Sequence, residues 1–310
     1  MKKMKKILIA LLTIAVIGAL GGCSSNGNSE TNTDVTPTTE PTTEATKAPE
    51  ATTEPTDAAE TDGDLAGTVS ITGSTSVEKI LVDMMDEFMA LNPDVKINYT
   101  GTGSSAGIAD TLAGSNDIGA SSRNLKDEEK VDGLKEVIFA YDGIAVVVNP
   151  NNSVSDITIE DIAKIYSGEV TNWSQLGGND ADIIVVSREG ASGTKGAFEE
   201  LIKLEDAGGL VEDATVVEGN GNVQQSVAGN ENAIGYVSFS FIDETVKALT
   251  VGGVEATADN AKAGTYSLSR PFIFASMEAT QTPVAKAFLE FVLSEDGQGF
   301  VEDHGGIRVD

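Results

Sequence analysis

The segment Ser187 to Phe198, SREGASGTKGAF, brings together residue types that hold anions. Arg188 carries a planar fork of N–H donors matched to tetrahedral oxyanions, and Ser192 and Thr194 add hydroxyl donors. The apolar run Ile183 to Val186 before it reads as a buried strand and the stretch after Ser192 as an amphipathic helix. That reading puts Arg188 in the connecting loop and Ser192, Gly193 and Thr194 at the helix start. The first N–H groups of a helix lack intrahelical partners and carry the positive end of its macrodipole, and Gly193 lets a ligand approach the backbone closely. Taken alone, the segment reads equally well as a Ser/Thr helix cap beside a surface Arg.

Three other loops share this composition: Thr72 to Ser76 (TGSTS), Thr100 to Gly107 (TGTGSSAG) and Gly119 to Arg123 (GASSR). Each follows a predicted strand. Strands are expected at Thr68 to Thr72, Lys96 to Thr100 and Asp117 to Ser121, with helices at Ser76 to Leu91 and Ile108 to Leu112 between them. This β-α-β-α-β order implies a mostly parallel sheet with helices on both faces. The run Val137 to Val148 is long enough to leave one lobe and enter another. A second lobe then holds a helix near Ile159 to Tyr166, the strand at Ile183 to Val186, the helix after Ser192, a helix at Val223 to Ala228 and a strand at Ile234 to Ser238. A return near Tyr266 to Phe274 leads to helices at Pro283 to Leu293 and Gly297 to His304. The expectation is an α/β protein of two lobes, residues 67–142 with 266–310 and residues 143–265, around a hinged cleft. Open α/β sheets bind ligands beyond the carboxyl ends of their strands, where all four loops fall.

Charge and composition narrow the chemistry. The chain has a net charge of −29, and residues 67–310 alone hold 15 basic and 39 acidic side chains, a net −24. Such a surface repels nucleic acid, but screening over about 10 Å leaves the inside of a closed cleft largely independent of it. A serine hydrolase lacks its base, because the only His, His304, lies at a helix end and Gly190 to Thr194 is not G-x-S-x-G. A Ser192–Lys195 arrangement is the remaining hydrolytic alternative. The Gly-rich loops fit neither dinucleotide nor P-loop fingerprints. One His and one Cys cannot build a zinc site, whereas a carboxylate calcium site stays open. No cofactor is expected. Among oxyanions, phosphate keeps a proton at neutral pH and sulfate does not, so an ionised carboxylate in the cleft would separate them. Asp142, in the crossing segment Tyr141-Asp142-Gly143, is the candidate acceptor, or else a solvated hinge residue.

The N-terminus points outside the cytoplasm. Residues 1–22 begin with Lys2, Lys3, Lys5 and Lys6, continue through an apolar run and end in Leu20-Gly21-Gly22 before Cys23. That pattern reads as an export signal ending in a lipobox, with lipid expected on Cys23. Residues 23–66 are Thr-, Glu- and Pro-rich, with repeats such as Pro37-Thr38-Thr39-Glu40, and are expected to form an extended tether.

Over residues 67–310 the ordered loops TGSTS, GTGSSAG, DIGASSR and Arg188-x-x-x-Ser192-Gly193-Thr194 resemble the phosphate-binding subunit of the high-affinity phosphate ABC transporter, a type II substrate-binding protein. The resemblance implies binding of inorganic phosphate and delivery to membrane permease subunits, by a monomer without enzymatic activity. Carried across by motif, the ligands would be Thr75, Ser76, Ser104, Arg188, Ser192, Gly193 and Thr194. Many relatives place an Asp in the third loop to accept the phosphate proton, where this chain has Ser122 followed by Arg123. The departure shifts the acceptor role towards Asp142. Sister proteins for molybdate, tungstate or sulfate share the architecture and are the alternative.

Overall fold

The computed structural model describes residues 65–310. The expected export signal, Cys23 and all but the last two tether residues lie outside the described residues. Leu65, at the tether's end, packs against the first hydrophobic core.

The chain opens with β1 (Gly67–Gly73), α1 (Glu78–Leu91), β2 (Val95–Thr100), α2 (Ser104–Leu112) and β3 (Ile118–Ser121). Apolar residues at helical spacing, Ile80, Leu81, Met84, Met85 and Phe88, turn one face of α1 into the core. Strand β1 pairs in parallel with β2 and β3, so the three loops after these strands emerge at one end of the sheet. The long strand β4 (Leu134–Val148) then crosses to a second set of elements: β5 (Asp156–Ile157), α3 (Ile159–Tyr166), β6 (Ile184–Arg188), α4 (Gly193–Leu201), β7 (Thr215–Val217), α5 (Gly219–Ala228), β8 (Ala233–Ser238), β9 (Lys247–Ala248), β10 (Thr250–Val251) and α6 (Ala258–Lys262). Strand β11 (Ser269–Met277) returns, and α7 (Pro283–Val292) and α8 (Glu295–Asp303) complete the chain.

The strands form one sheet in the order β2-β1-β3-β11-β4-β8-β6-β7, with β9 also on β4 and a small β10-β5 pair apart. The two crossing strands depart from the parallel pattern. β11 runs antiparallel to both β3 and β4, and β4 antiparallel to β8. Two hydrophobic cores lie on either side of them. One is built on Val69, Ile71, Phe88, Phe139, Ala140, Phe272, Phe274 and Phe288. The other is built on Ile144 to Val148, Tyr166, Trp173, Phe198, Tyr236, Tyr266 and Leu268. The chain therefore changes core within β4, between Ala140 and Ile144, and changes back on entering β11, between Leu268 and Phe272. At the first crossing Gly143 lies against the ring of Phe239, where a Cβ would overlap the ring atoms.

Boundaries differ from expectation mostly at ligand-side ends. α1 begins at Glu78 rather than Ser76, because the Ser76 hydroxyl is engaged in a buried network instead of capping the helix. α2 begins at Ser104 rather than Ile108, with Gly103 at φ 88° making the turn into it. Arg188 is the last residue of β6 rather than a loop residue, since its strand extends to pair with β7.

Candidate functional site

The four loops meet at one buried point. Ser76 Oγ lies 2.7 Å from Thr194 Oγ1, joining the end of β1 to the first turn of α4. Ser104 Oγ accepts the Ser122 N–H at 3.1 Å and lies 3.4 Å from Ser122 Oγ, joining the second and third loops. Gly193 packs against both: a Cβ there would overlap Ser104 Oγ and crowd Ser122 Oγ. The Ser105 N–H donates to the Ala191 carbonyl at 3.1 Å beside it. Ser76, Ser104, Ser122, Arg188, Ser192 and Thr194 are all buried, and Thr75 is half-buried. Beside this point lies a cavity of about 460 Å³, lined by Ser105, Arg123, Lys126, Ser192 and Lys195 among others.

Arg188 enters from the second core, 1% exposed. Its backbone N–H donates to Tyr236 Oη at 3.2 Å, and Tyr236 stacks on Phe198 of α4, so strand and helix are fixed together. Its Nε and Nη2 both reach the Glu189 carboxylate at 2.8 Å, and Nη2 also donates to Thr75 Oγ1 at 3.2 Å. Burial alone would raise the Glu189 carboxyl, but the hydrogen bonds and charge of Arg188 hold it below its ordinary value. Arg188 Nη1 is buried and has no partner among the described residues. A buried guanidinium donor without an acceptor is costly, and an anion at this point would satisfy it.

Ser192 caps α4, accepting the Lys195 N–H at 3.1 Å, which leaves its own O–H to donate. Lys195 turns away to Glu199, and His304 ends α8 and pairs with Asp83 at 2.7 Å. Neither stands as a base beside Ser192. Arg123, next to Ser122, is held by both oxygens of Glu129.

Asp142, the expected proton acceptor, is engaged by partners within the chain. It is 1% exposed, so it is no solvated hinge residue. Its Oδ2 accepts both Nε and Nη2 of Arg270, at 3.1 and 2.8 Å, and its Oδ1 accepts Ser238 Oγ and the Phe239 N–H, at 3.0 and 3.3 Å. Two acceptor sites on each oxygen are thereby filled, and none remains for a ligand proton. Burial pushes the Asp142 carboxyl above its ordinary value while Arg270 works against it. Arg270 then reaches Ser76 Oγ through Nη2 at 3.1 Å and the Ser122 carbonyl through Nη1 at 3.2 Å. Asn220, in the first turn of α5, donates to Thr75 Oγ1 and Ser76 Oγ at 3.3 and 3.1 Å.

Sequence reasoning missed Glu189, Asn220 and Arg270. Each had a signal: Glu189 adjoins Arg188, Asn220 opens a Gly-rich helix start after a strand, and Arg270 is a lone charge in the apolar run SRPFIFA. A charge in such a run, buried by its strand, requires a partner.

Residues 40–296 match the profile of a PBP superfamily domain. The phosphate-binding protein PstS of Borreliella burgdorferi is 32% identical over 250 residues, covering 78% of this chain and 90% of its own. The chain belongs to the PstS family of phosphate-binding proteins. PstS of Bacillus subtilis is 30% identical over 313 residues, covering 99% of this chain and 95% of its own. Among solved structures, a phosphate ABC transporter substrate-binding protein from Clostridium perfringens with bound phosphate is 46% identical with a TM-score of 0.77, covering 79% of this chain and 100% of that one. An ABC-type phosphate transport receptor from Vibrio cholerae is 34% identical with a TM-score of 0.67, covering 78% and 100%. The α/β fold of the PstS family, with a mostly parallel sheet interrupted by its crossing strands, is the fold of this chain. Among the described residues, no group of three or more His, Cys, Asp or Glu side chains could hold a metal ion. No helix there is long and apolar enough to cross a membrane.

Proposed function

We propose that the buried point between the two cores is a cage for inorganic phosphate, and that the chain captures phosphate outside the cytoplasm and delivers it to the permease of an ABC importer. The observation that carries the cage is Arg188 Nη1, a buried guanidinium donor without a partner among the described residues, on a guanidinium whose Nη2 donates to the Thr75 hydroxyl. The cage residues are Thr75, Ser76, Ser104, Ser122, Arg188, Ser192 and Thr194, with the Gly193 backbone at closest approach. Asp142 belongs to the site through Arg270 rather than through the ligand. Charge-assisted hydrogen bonds supply most of the affinity, and closure of residues 67–142 with 266–310 onto 143–265 about β4 and β11 excludes water. The role is binding without turnover: Ser192 is occupied as a helix cap and has neither Lys195 nor His304 as a base. Export by residues 1–22, lipid on Cys23, a tether over 23–66 and a monomeric state complete the reading.

The engagement of both Asp142 oxygens favours a second, broader reading. Without a free carboxylate in the cage, sulfate meets no fixed charge repulsion, and discrimination falls to the hydroxyls. Calorimetric titration of the full chain with phosphate, arsenate, sulfate and molybdate separates the two. Arg188→Ala is expected to weaken phosphate binding at least about tenfold, in keeping with the loss of a charge-assisted hydrogen bond. Unchanged affinity would remove Arg188 from the cage.

A further inference from the structure

The hydrogen-bond directions around Thr75 and Ser76 are fixed by Asn220 and Arg270, outside the proposed ligand set, together with Arg188. Asn220 Oδ1 accepts the Ser238 N–H at 3.1 Å, which settles which end of the amide is which. Its Nδ2 therefore faces the two hydroxyls as a donor, with one hydrogen for Thr75 Oγ1 and one for Ser76 Oγ. Ser76 Oγ receives a second donor, Arg270 Nη2, and Thr75 Oγ1 receives Arg188 Nη2. A hydroxyl oxygen has two acceptor sites. With both filled by N–H groups that cannot reverse, each hydroxyl can only donate its own proton onward, which makes Ser76 the donor in its 2.7 Å contact with Thr194 Oγ1 and leaves the Thr194 proton to turn towards the cage.

The opposite side differs. Ser104 Oγ accepts one N–H, from Ser122, and its contact with Ser122 Oγ runs in either direction. One acceptor site stays open there. The geometry points to Asn220 and Arg270 as positioning residues that lock Thr75 and Ser76 into donating, Ser76 to Thr194 and Thr75 towards the cage, so that Thr75 admits only an unprotonated ligand oxygen and a ligand proton turns towards hydroxyls that keep an open acceptor site, Ser104 and Ser122. Asp142 holds Arg270 in place for that task. The inference rests on the phosphate-cage reading and adds to it a polarity: a donor-only Thr75 facing hydroxyls that can also accept. It assigns discrimination by protonation state to hydroxyl orientation instead of to a carboxylate.

A double-mutant cycle tests it, with inorganic phosphate titrated into the full chain by calorimetry. Asn220→Leu, which keeps the volume and removes both donors, is expected to weaken phosphate at least about tenfold. In a Thr75→Val, Ser76→Ala background, where there are no hydroxyls to orient, the same change is expected to alter affinity by less than about twofold. An equal loss in both backgrounds overturns the inference, because Asn220 would then act by packing. Should Asn220→Leu not fold, Asn220→Asp enters the same cycle. It keeps the Ser238 contact and reverses the bond, so that the hydroxyls donate to Asp rather than onward. The unaltered chain in the same titration separates the two levels: binding without coupling overturns only the polarity, whereas no phosphate heat at all overturns the cage and the inference with it.

Discussion

Two arginine–carboxylate pairs converge on the cage, and they are built on opposite principles. Arg188 and Glu189 are neighbours in sequence; the Glu side chain is about 21% exposed, and the pair leaves one guanidinium nitrogen without a partner. Arg270 and Asp142 are 128 residues apart, each side chain is 2% exposed, and every carboxylate acceptor site is used. The first pair trades internal satisfaction for an outward donor. The second is closed on itself and ties together the two strands that cross between cores. Burial with complete pairing makes a brace, and burial with one donor left over makes a binding site.

Removing the charge from the brace should have the largest effect. Asp142→Asn leaves Arg270 buried without its counter-charge, and a loss of about 3–5 kcal/mol in unfolding free energy is expected from urea titration. A loss under about 1 kcal/mol would show that the brace is no more than a surface-like pair. Gly193→Ala comes next. Its Cβ would overlap Ser104 Oγ, so closure must strain, and overpacking of this kind costs about 1–3 kcal/mol. Phosphate affinity, read by calorimetric titration, should fall about tenfold to a hundredfold, and an unchanged affinity would mean that the contact of Gly193 with Ser104 yields without strain.

Glu189→Gln tests the outward pair and should give the smallest effect. The Glu189 carboxyl is held below its ordinary value in the folded chain. Its contribution to stability is therefore fully present above the unfolded value of about 4.3 and is lost as pH falls through the lower folded value. The Gln variant should flatten that acid limb in urea midpoints measured against pH. An unchanged acid limb would mean that Arg188 holds its position without Glu189.

One member of each pair is legible in the sequence, Arg188 and Asp142, but only Arg188 comes with its neighbours in the site. Arg188, Ser192, Gly193 and Thr194 fall within seven consecutive positions, so strand periodicity and a helix start are enough to place them together. The loops after β1, β2 and β3 were legible for the same reason, because parallel strands bring their carboxyl ends to one edge. Asp142 stands out in the sequence as the carboxylate of the crossing segment, but its pairing depends on Arg270, and no local pattern links positions joined only by the antiparallel pairing of β4 with β11. Asn220 was hidden similarly. Its function comes from two hydroxyls 145 and 144 residues away. The short strands β5, β7, β9 and β10, of two or three residues each, carry too few positions for an alternating pattern.

The two crossings also set an order of assembly. The second core draws nearly all its members from a continuous stretch between Ile144 and Leu268, whereas the first needs Phe272 and Phe274 of β11, made only after that stretch is complete. Until β11 arrives, β3 lacks its antiparallel neighbour and Phe139 lacks the ring of Phe274 that stacks on it at 4.2 Å. Joining β4 to β11 across an unfolded stretch closes a long loop, an entropic cost that falls once the intervening residues have collapsed into a compact body. The part of the chain that begins first therefore waits on β11 to complete its core.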